Sequence, residues 1–376
     1  MQLQISVPFR PDLDEYPQLE TIPSTPAVFA LLLDAPGAPK TPPYLGRTAD
    51  LRRRLGRLLG LRSILSKLLN LRELTRQIDY QPVGSVLEAQ WLLYRLNKLH
   101  YPSTYRQRLR LRSPALLKVN LRNRFPRCYP TRRLSPDGSL YYGPFPSRLA
   151  AERFASEFLD LFNIRRCVED LNPDPAHPGC IYSQMHMCLA PCFQGCTDGE
   201  YQQEVGRVVA FLDAEGQPLI RGLEAERSHA SEALDFEAAG KLHRRLEKVQ
   251  EVLRQKPSLA RNVRDLHAVI VERGAPPKSV SFFRLRGGEI HGPFLLSFDD
   301  NVARPVPLDQ QLHELLALPA RPENSPSLPP WEHLSLLARW YYSSFRTGEI
   351  LPLGPNQEIP HARLIRLCRK VLTPGS

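Results

Sequence analysis

Four cysteines near the middle of the chain constrain its fold more than any other feature of the sequence. Cys167, Cys180, Cys188 and Cys192 are separated by 12, 7 and 3 residues, with prolines and a glycine between them. Thiolate ligands have to converge on one point from loops, and short loops of this composition allow that. A lone cysteine is usually a small core residue, whereas four in such a stretch are hard to place in a core. The pattern therefore predicts a metal site.

The spacing of the four cysteines does not by itself identify the metal or the cellular compartment. Zinc sites favour paired CxxC motifs, which this stretch lacks, whereas iron-sulfur clusters accept irregular spacing. Seven cysteines in all, an odd number, fit a reducing compartment better than a disulfide framework. The apolar run at 27–33 is far shorter than the roughly 18 residues of a membrane span, and no signal peptide precedes it. We therefore expect a cytoplasmic protein with no membrane partner.

Positive charge is concentrated in one part of the chain. There are 50 Lys and Arg against 39 Asp and Glu, a net charge of +11, and no acidic residue lies between Glu88 and Asp137. Arginines alternate with other residues over 106–112, which predicts a strand with one basic face. Such faces are often merely solvated, but one this dense repels itself unless an anion meets it. We predict DNA contact by nine arginines: Arg53, Arg57, Arg106, Arg108, Arg110, Arg112, Arg122, Arg124 and Arg127.

The N-terminal part of the chain predicts a small α/β domain. Residues 1–22 are polar and punctuated by proline, which predicts an irregular lead-in. The domain itself is predicted over 23–105. Its pattern gives a buried strand from 27, a short second strand ending at 46, and helices from about 48, over 63–77 and over 85–99.

Short motifs in this domain resemble a known nuclease. Pro26-Ala27-Val28-Phe29, then Tyr44-Leu45-Gly46-Arg47, then the run 50–55 resemble the GIY-YIG domain as it occurs in the UvrC family, the incision subunit of bacterial nucleotide excision repair. The resemblance implies a divalent metal, Mg²⁺ or Mn²⁺, and water activated against a phosphodiester. It places Tyr44 and Arg54 in the catalytic set, with Arg47 in place of a lysine.

The match to the catalytic set is incomplete. Phe29 stands where the family has its first tyrosine, so one hydroxyl is lost. An alignment without gaps places Leu93 at the metal-binding glutamate, and leucine cannot bind Mg²⁺. Glu88 lies five residues earlier, about 140 degrees round a helix, so it is a poor substitute. We therefore expect a degenerate domain whose remaining residues contact phosphate. The alternative is an active single-incision endonuclease that uses Tyr44, Arg47 and Arg54.

Residues 106–200 form a basic and cysteine-rich region that resembles the same family. Tyr129, Tyr141, Tyr142 and Phe145 interleave with the arginines, and either stacking on exposed bases or a buried sheet edge would explain them. The motifs 141–146, 178–182 and 188–192 are similar to UvrC sequences. That resemblance implies a [4Fe-4S] cluster on the four cysteines, with zinc as the alternative.

Residues 212–256 predict a helical hairpin with apolar stripes that meet near residue 235. The run 233–239 is similar to the UVR module through which UvrC binds the helicase subunit UvrB. The resemblance implies partner contact through Leu234, Phe236, Glu237, Ala238, Ala239, Leu242 and Leu246. An ordinary hairpin packed on the rest would also explain the stripes. A UVR-containing, zinc-binding stress regulator is a further alternative.

The C-terminal part predicts three smaller pieces. Apolar strands and the turn at 286–289 predict a β segment over 262–300. A proline-rich linker is predicted over 301–330 and a helical tail over 331–376. We expect these last pieces to be too short for the RNase H-like nuclease of the family. The fold class is thus predicted as α+β, with a GIY-YIG domain, a cysteine-rich region, a hairpin, a β segment and a tail.

Overall fold

A computed structural model describes residues 3–13, 15–34, 41–60, 71–298, 306–319 and 328–373, with the side chains of 15–17 left out. Within these residues the chain forms three four-stranded antiparallel sheets with helices packed on them. The predicted α+β class is therefore confirmed. Among the described residues, no helix is both long and apolar enough to cross a membrane.

The first sheet is covered on both faces. Its strands are β1 (Ile5–Pro8), β2 (Ala27–Leu33), β3 (Tyr44–Thr48) and β4 (Thr75–Pro82), in the order β1-β4-β2-β3. Helices α1 (Glu15–Glu20) and α2 (Leu51–Leu59) cover one face, α3 (Leu71–Leu74) precedes β4, and α4 (Val86–His100) covers the other face. Because both faces are buried, β2 is apolar at every position instead of alternating.

Two predictions for this domain need correction. The predicted irregular lead-in contains β1, which pairs with β4 and places Val7 opposite Ile78. Of the predicted helix at 63–77, residues up to 70 lie outside the described residues, α3 confirms 71–74, and from Thr75 onward the chain is a strand. Ile78 and Tyr80 alternate inward there, so a strand buries them on one face. The helix predicted over 85–99 is confirmed as α4, which Ser85 caps.

The second sheet shares its core with the helical hairpin. Its strands are β5 (Ala115–Val119), β6 (Cys128–Thr131), β7 (Leu140–Phe145) and the short β8 (Arg261–Asn262), in the order β6-β5-β7-β8. The helices around it are α5 (Tyr105–Arg108), α6 (Arg148–Leu159), α7 (Ile181–Gln184), α8 (Asp198–Asp213), α9 (Gln217–Glu232) and α10 (Phe236–Gln255). Phe158, Phe211, Leu246 and Val249 lie in one continuous core. The base of the hairpin is therefore built into this domain.

The third sheet uses residues from both ends of the C-terminal part. Its strands are β9 (Ala268–Arg273), β10 (Ser279–Arg286), β11 (Glu289–Ser297) and β12 (Glu349–Pro352), in the order β11-β10-β9-β12. Helices α11 (Leu308–Leu316) and α13 (His361–Leu372) cover one face, and α12 (Trp331–Tyr341) covers the other. Gly287 and Gly288 form the predicted turn with positive φ values of 57° and 75°.

In the parts that the structure describes, the predicted linker is wrong, whereas the predicted tail is right in its two helices, α12 and α13, and wrong in missing β12 between them. Leu312 and Leu316 of α11 are fully buried against the third sheet, within the segment predicted to be a linker. In the predicted tail, Ile350 of β12 pairs with Ile270 of β9 as the edge of the sheet. Residues 320–327 lie outside the described residues. Because these segments are rich in proline, their sequence did not predict α11 or β12.

Helix α4 joins the first sheet to the third. The Trp91 indole N–H donates to the Gly292 carbonyl at 2.8 Å, and the Trp91 ring meets the His333 ring edge-on at 4.9 Å. The Tyr105 hydroxyl donates to Glu332 at 2.8 Å. Helix α12, which carries His333 and Glu332, is thereby fixed beside both the first and the second sheet.

Candidate functional site

The three residues of the remnant catalytic set lie around the edge strand β3 without touching one another. Tyr44 is half-buried on the α2 side, with its ring centroid 6.2 Å from that of Phe29. Alternation along β3 places Arg47 on the opposite face, with Leu45, and its side chain is exposed. Arg54 is half-buried on α2. Among the described residues, no hydrogen bond or ion pair joins these three side chains.

The replaced catalytic positions are occupied by packing side chains. Phe29 is fully buried, and its ring lies so close to Gly46 that a Cβ added there would stand 2.6 Å from the ring. Leu93 packs against the apolar cluster between α4 and the sheet. Glu88 is 5% exposed, and its carboxylate accepts the Gly84 backbone N–H at 2.9 Å. Burial raises the pKa of Glu88, while this hydrogen bond opposes the rise. The Glu88 carboxylate is therefore held at the N-terminus of α4 by this hydrogen bond.

The predicted basic strand at 106–112 is wrong. Residues 105–108 form α5, and Arg110 adopts a left-handed conformation with φ of 49°. Arg106 pairs with buried Glu332 at 2.8 Å, and Arg108 stacks on the Tyr101 ring at 3.7 Å. The period-two pattern here comes from a short helix followed by a turn. Two of its four arginines, although exposed, thus have partners within the protein.

The nine arginines predicted to contact DNA divide into two groups. Besides Arg106 and Arg108, Arg124 makes two hydrogen bonds to Asp198 at 2.6 and 2.9 Å, and Arg127 stacks on Tyr129 at 4.3 Å. The remaining five have exposed side chains without an ion pair in the described part of the chain: Arg53, Arg57, Arg110, Arg112 and Arg122.

The interleaved aromatic residues are mostly core residues. Tyr141, Tyr142 and Phe145 are at most 2% exposed on β7, an inner strand of the second sheet, so they are core residues and are not available for stacking on bases. Tyr142 donates its hydroxyl to Asp213 at 2.8 Å, and burial raises its pKa. Only Tyr129 of this group keeps a partly open ring.

Sequence reasoning missed a basic cleft between the second sheet and α12. We use this name for the cleft lined by Arg112, Ser113, Arg132, Ser147, Ser335 and Arg339, among others. Arg132 follows β6, whereas Ser335 and Arg339 lie about two hundred residues later on one face of α12. No local sequence pattern could connect positions so far apart.

The four candidate metal ligands lie in one loop region. Cys180 caps the short helix α7, where its backbone N–H donates to the Ser183 hydroxyl at 3.0 Å. The Asp174 N–H donates to the Cys192 carbonyl at 2.9 Å, and buried Arg165 donates to the Cys167 carbonyl at 3.2 Å. All seven cysteines of the chain are free thiols. The backbone therefore holds the cysteine loop without a disulfide.

The thiols influence one another but do not form a closed ligand set. Burial raises the pKa of Cys188 to about 11, and charge on Cys167, Cys180 and Cys192 adds to the rise, against an opposing hydrogen bond from the Ala190 N–H. Among the described residues, which include all these cysteines, no three Cys, His, Asp or Glu side chains are arranged to hold a metal ion. The donor chemistry suits a metal, whereas the arrangement is more open than a bound metal requires.

The helical hairpin is buried at its base and open at its tip. Leu246, Val249 and Val252 are at most 5% exposed in the core shared with α6 and α8. At the hairpin tip, which we define as residues 231–237, Leu234 and Phe236 are each 72% exposed. Leu234 adopts a left-handed backbone conformation with φ of 59° in the turn, and the side chains there face outward.

The structure separates the seven predicted partner-binding residues accordingly. Leu246 is a core residue, and Leu242 is partly buried against the same core. Glu237 is exposed and pairs with Lys241 at 2.8 Å, and Ala238 and Ala239 are partly exposed. Leu234 and Phe236 alone among the seven present large apolar surfaces to solvent.

Comparison with known proteins identifies similar chains. Residues 115–211, from β5 into α8, match the family described as "UvrC/Cho excinuclease, middle domain". The chain is 29% identical over 296 residues to the UvrABC system protein C of Moorella thermoacetica, covering 78% of this chain and 47% of that relative. For Dehalococcoides mccartyi the identity is 26% over 281 residues, covering 73% and 45%. For Solibacter usitatus it is 34% over 168 residues, covering 44% and 27%.

These matches are partial in length. The chain spans about half or less of the curated relatives that it matches. No solved structure matches the chain significantly.

Proposed function

The chain belongs to the UvrC family, as its motifs predicted, and from this premise we propose that it is a UvrC-like subunit of nucleotide excision repair that binds DNA and a UvrB-type helicase. The observation that carries the proposal is the hairpin tip, where Leu234 and Phe236 are 72% exposed although the base of the same hairpin is buried. An apolar end without a covering surface is typical of a site for a partner protein.

Titration of a UvrB protein into the full chain tests partner binding. We expect Leu234→Ser with Phe236→Ser to weaken binding by at least about 100-fold, since buried apolar anchors dominate interface energies. The matched control is Leu149→Ser, because Leu149 is a similarly exposed leucine at 65% on α6, outside the hairpin. Equal affinity of the double variant and the control would remove the hairpin tip from the interface.

DNA binding rests on the five exposed arginines that are free of ion pairs: Arg53, Arg57, Arg110, Arg112 and Arg122. Several phosphate contacts release counterions, so affinity for DNA should fall steeply with salt. Binding that is absent, or independent of salt, would instead favour the alternative of a stress regulator that acts on proteins.

We propose that the GIY-YIG-type face contacts phosphate without cutting it. Cleavage would need a divalent metal to stabilise the leaving oxygen, and Leu93 offers no ligand at the position of the metal-binding glutamate. Glu88 cannot take that role, because its carboxylate is buried on the Gly84 N–H. Tyr44, Arg47 and Arg54 then contribute charge and a hydroxyl toward a bound strand.

We propose that Cys167, Cys180, Cys188 and Cys192 hold a structural metal group, a [4Fe-4S] cluster or zinc. Four free thiols in one loop support this: burial raises the pKa of Cys188, the three other thiols add to the rise, and a cation would relieve the repulsion among thiolates. A bound metal would close the loop between α6 and α8.

Metal analysis and absorption spectra of anaerobically purified protein distinguish the [4Fe-4S] cluster from zinc. Absorbance near 400 nm that Cys188→Ser abolishes would establish the cluster, one zinc without colour would replace it, and no metal would reject both.

A further inference from the structure

The basic cleft is built from four separate segments of the chain. Residues 112–115 lead into β5, residue 132 follows β6, residues 145–147 join β7 to α6, and α12 supplies the remaining wall. The volume is about 310 Å³, and three arginines and three serines line it without a single carboxylate. A concave site with one sign of charge concentrates the opposite sign in a bound group.

Two of the three arginines have no partner of their own. The side chains of Arg112 and Arg132 are exposed, and in the described part of the chain neither makes an ion pair or a hydrogen bond. Their segments are nevertheless fixed, since the Ser113 hydroxyl donates to the Arg132 carbonyl. Among the described residues, neither of these two positive charges in the cleft is matched by a counter-charge.

The third arginine is positioned by backbone carbonyls. The Arg339 guanidinium donates to the Arg110 carbonyl at 3.0 Å and to the Leu109 carbonyl at 3.4 Å. Burial lowers the pKa of Arg339, and the positive charge of Arg47 lowers it further. Carbonyl partners orient the guanidinium but leave its charge uncompensated.

Two further features of the cleft suit a bound anion: the hydroxyl of Ser335 and the N-terminus of α6. Ser335 is 6% exposed, lines the cleft, and its hydroxyl makes no hydrogen bond to any described residue. Helix α6, 12 residues long, begins at the rim, where Ser147 accepts the Ala150 N–H and the first turn contains no acidic side chain. A hydroxyl that lines the cleft without a hydrogen-bond partner among the described residues and a positive helix end both suit an oxygen-rich anion.

We propose that the basic cleft binds one phosphodiester group of a DNA strand. This inference rests on the proposed DNA binding and adds the place where the strand is held. Arginine forks match phosphate oxygens, and Ser335 supplies a hydroxyl donor to the same group. A free phosphate-bearing molecule has the same chemistry, so the test has to separate the two sources.

The first arm of the test measures DNA affinity against salt by fluorescence anisotropy. Arg112→Gln with Arg132→Gln removes two positive charges without breaking a side-chain contact among the described residues. The matched control is Arg363→Gln with Arg369→Gln, two exposed arginines on α13, across the third sheet from α12. We expect the slope of log affinity against log salt to fall by about two contacts, with at least about tenfold weaker binding at low salt, and the control to match wild type.

The second arm measures thermal stabilisation of the full chain by inorganic phosphate, relative to chloride at equal ionic strength. We expect stabilisation of wild type and of the control variant, and its loss in the cleft variant. Loss of phosphate stabilisation with an unchanged DNA slope would overturn the DNA assignment and leave a site for a free phosphate compound. No difference between cleft and control variants in either arm would overturn the site itself.

The two arms also separate this inference from the proposed function. If wild type fails to bind DNA while phosphate stabilisation depends on Arg112 and Arg132, the proposed function fails and the anion site survives. If wild type binds DNA with a steep salt dependence that the cleft variant keeps, DNA binding stands and the cleft is excluded from it.

Discussion

The first sheet and the hairpin tip use apolar side chains in opposite ways. In the first sheet, Phe29 and Leu93 occupy positions where the UvrC resemblance implies a tyrosine and a glutamate, and both are packed. At the hairpin tip, Leu234 and Phe236 have apolar side chains that remain 72% exposed. Apolar side chains are thus packed in one region and exposed in the other. This contrast supports the proposal that the hairpin tip binds a partner protein and that the first sheet does not cleave DNA.

The largest expected effect separates the base of the hairpin from its tip. Leu246→Ala removes a fully packed side chain, and we expect the free energy of unfolding to fall by about 2–5 kcal/mol. Phe236→Ala removes an exposed ring, and we expect a change within about 0.5 kcal/mol. Urea unfolding of both variants checks this. A similar loss in Phe236→Ala would mean that the tip is packed, and the contrast would fail.

A second effect concerns the joint where the first sheet meets the third. Burial raises the pKa of Glu272 from 4.5 to about 7, and nearby Glu88 adds to the rise, whereas hydrogen bonds from Trp340 and Thr347 and the charge of Arg346 oppose it. The folded chain holds this proton to a higher pH than the unfolded chain. Its stabilising contribution is therefore complete below pH 4.5 and is lost as the pH rises through 7.

Glu272→Gln removes this pH dependence. Relative to the variant, wild type should lose up to about 3 kcal/mol of unfolding free energy between pH 4.5 and pH 8. His333, whose pKa burial lowers to about 4, titrates in both proteins, so the difference between them isolates Glu272. Exposed Glu358→Gln is the control. Parallel pH profiles for wild type and Glu272→Gln would contradict the raised pKa.

A smaller effect is expected from restoring the first missing tyrosine. Phe29→Tyr places a hydroxyl on a fully buried ring that already lies against Gly46, so we expect a loss of about 1–3 kcal/mol. Tyr44→Phe, on the neighbouring half-buried ring, should change stability by less than about 0.5 kcal/mol. Thermal unfolding of the two variants checks this. Unchanged stability of Phe29→Tyr would show that the core accommodates the tyrosine hydroxyl and would weaken the claim that Phe29 is tightly packed in the first sheet.

The smallest effect concerns an arginine that the sequence assigned to DNA. Arg124 pairs with Asp198, and both side chains are more than half exposed. Arg124→Gln should therefore leave the midpoint of urea unfolding nearly unchanged. In the anisotropy assay it should also change DNA affinity less than Arg112→Gln does. An equal effect of the two substitutions would show that the ion pair opens to meet DNA.

Local patterns were sufficient to predict several elements. Ser85 followed by the apolar stripe of α4, the Gly287-Gly288 turn and the meeting point of the hairpin helices all depend on neighbouring residues. The arginine pattern at 106–112 was misleading, because Arg106 is held by Glu332, more than two hundred residues away. Contacts between residues so far apart in sequence depend on the tertiary fold, which hydrophobic periodicity and secondary-structure propensity do not predict.

The same reason explains what was missed in the candidate sites. The basic cleft combines Arg112, Arg132 and Arg339, which no sequence spacing connects. Strand β12 is four residues long and becomes a strand because β9 offers it an edge. The exposure of Phe236 and the burial of Leu246, two positions on one apolar stripe, could be separated only by knowing where the core ends.

Incubation of the chain with supercoiled plasmid and Mg²⁺ or Mn²⁺ tests most directly whether it holds DNA without cutting it. We expect the plasmid to be retarded on a gel in low salt and to remain supercoiled once the protein is removed. Metal-dependent nicked circles that disappear with Arg54→Ala would contradict this and would establish an incision enzyme.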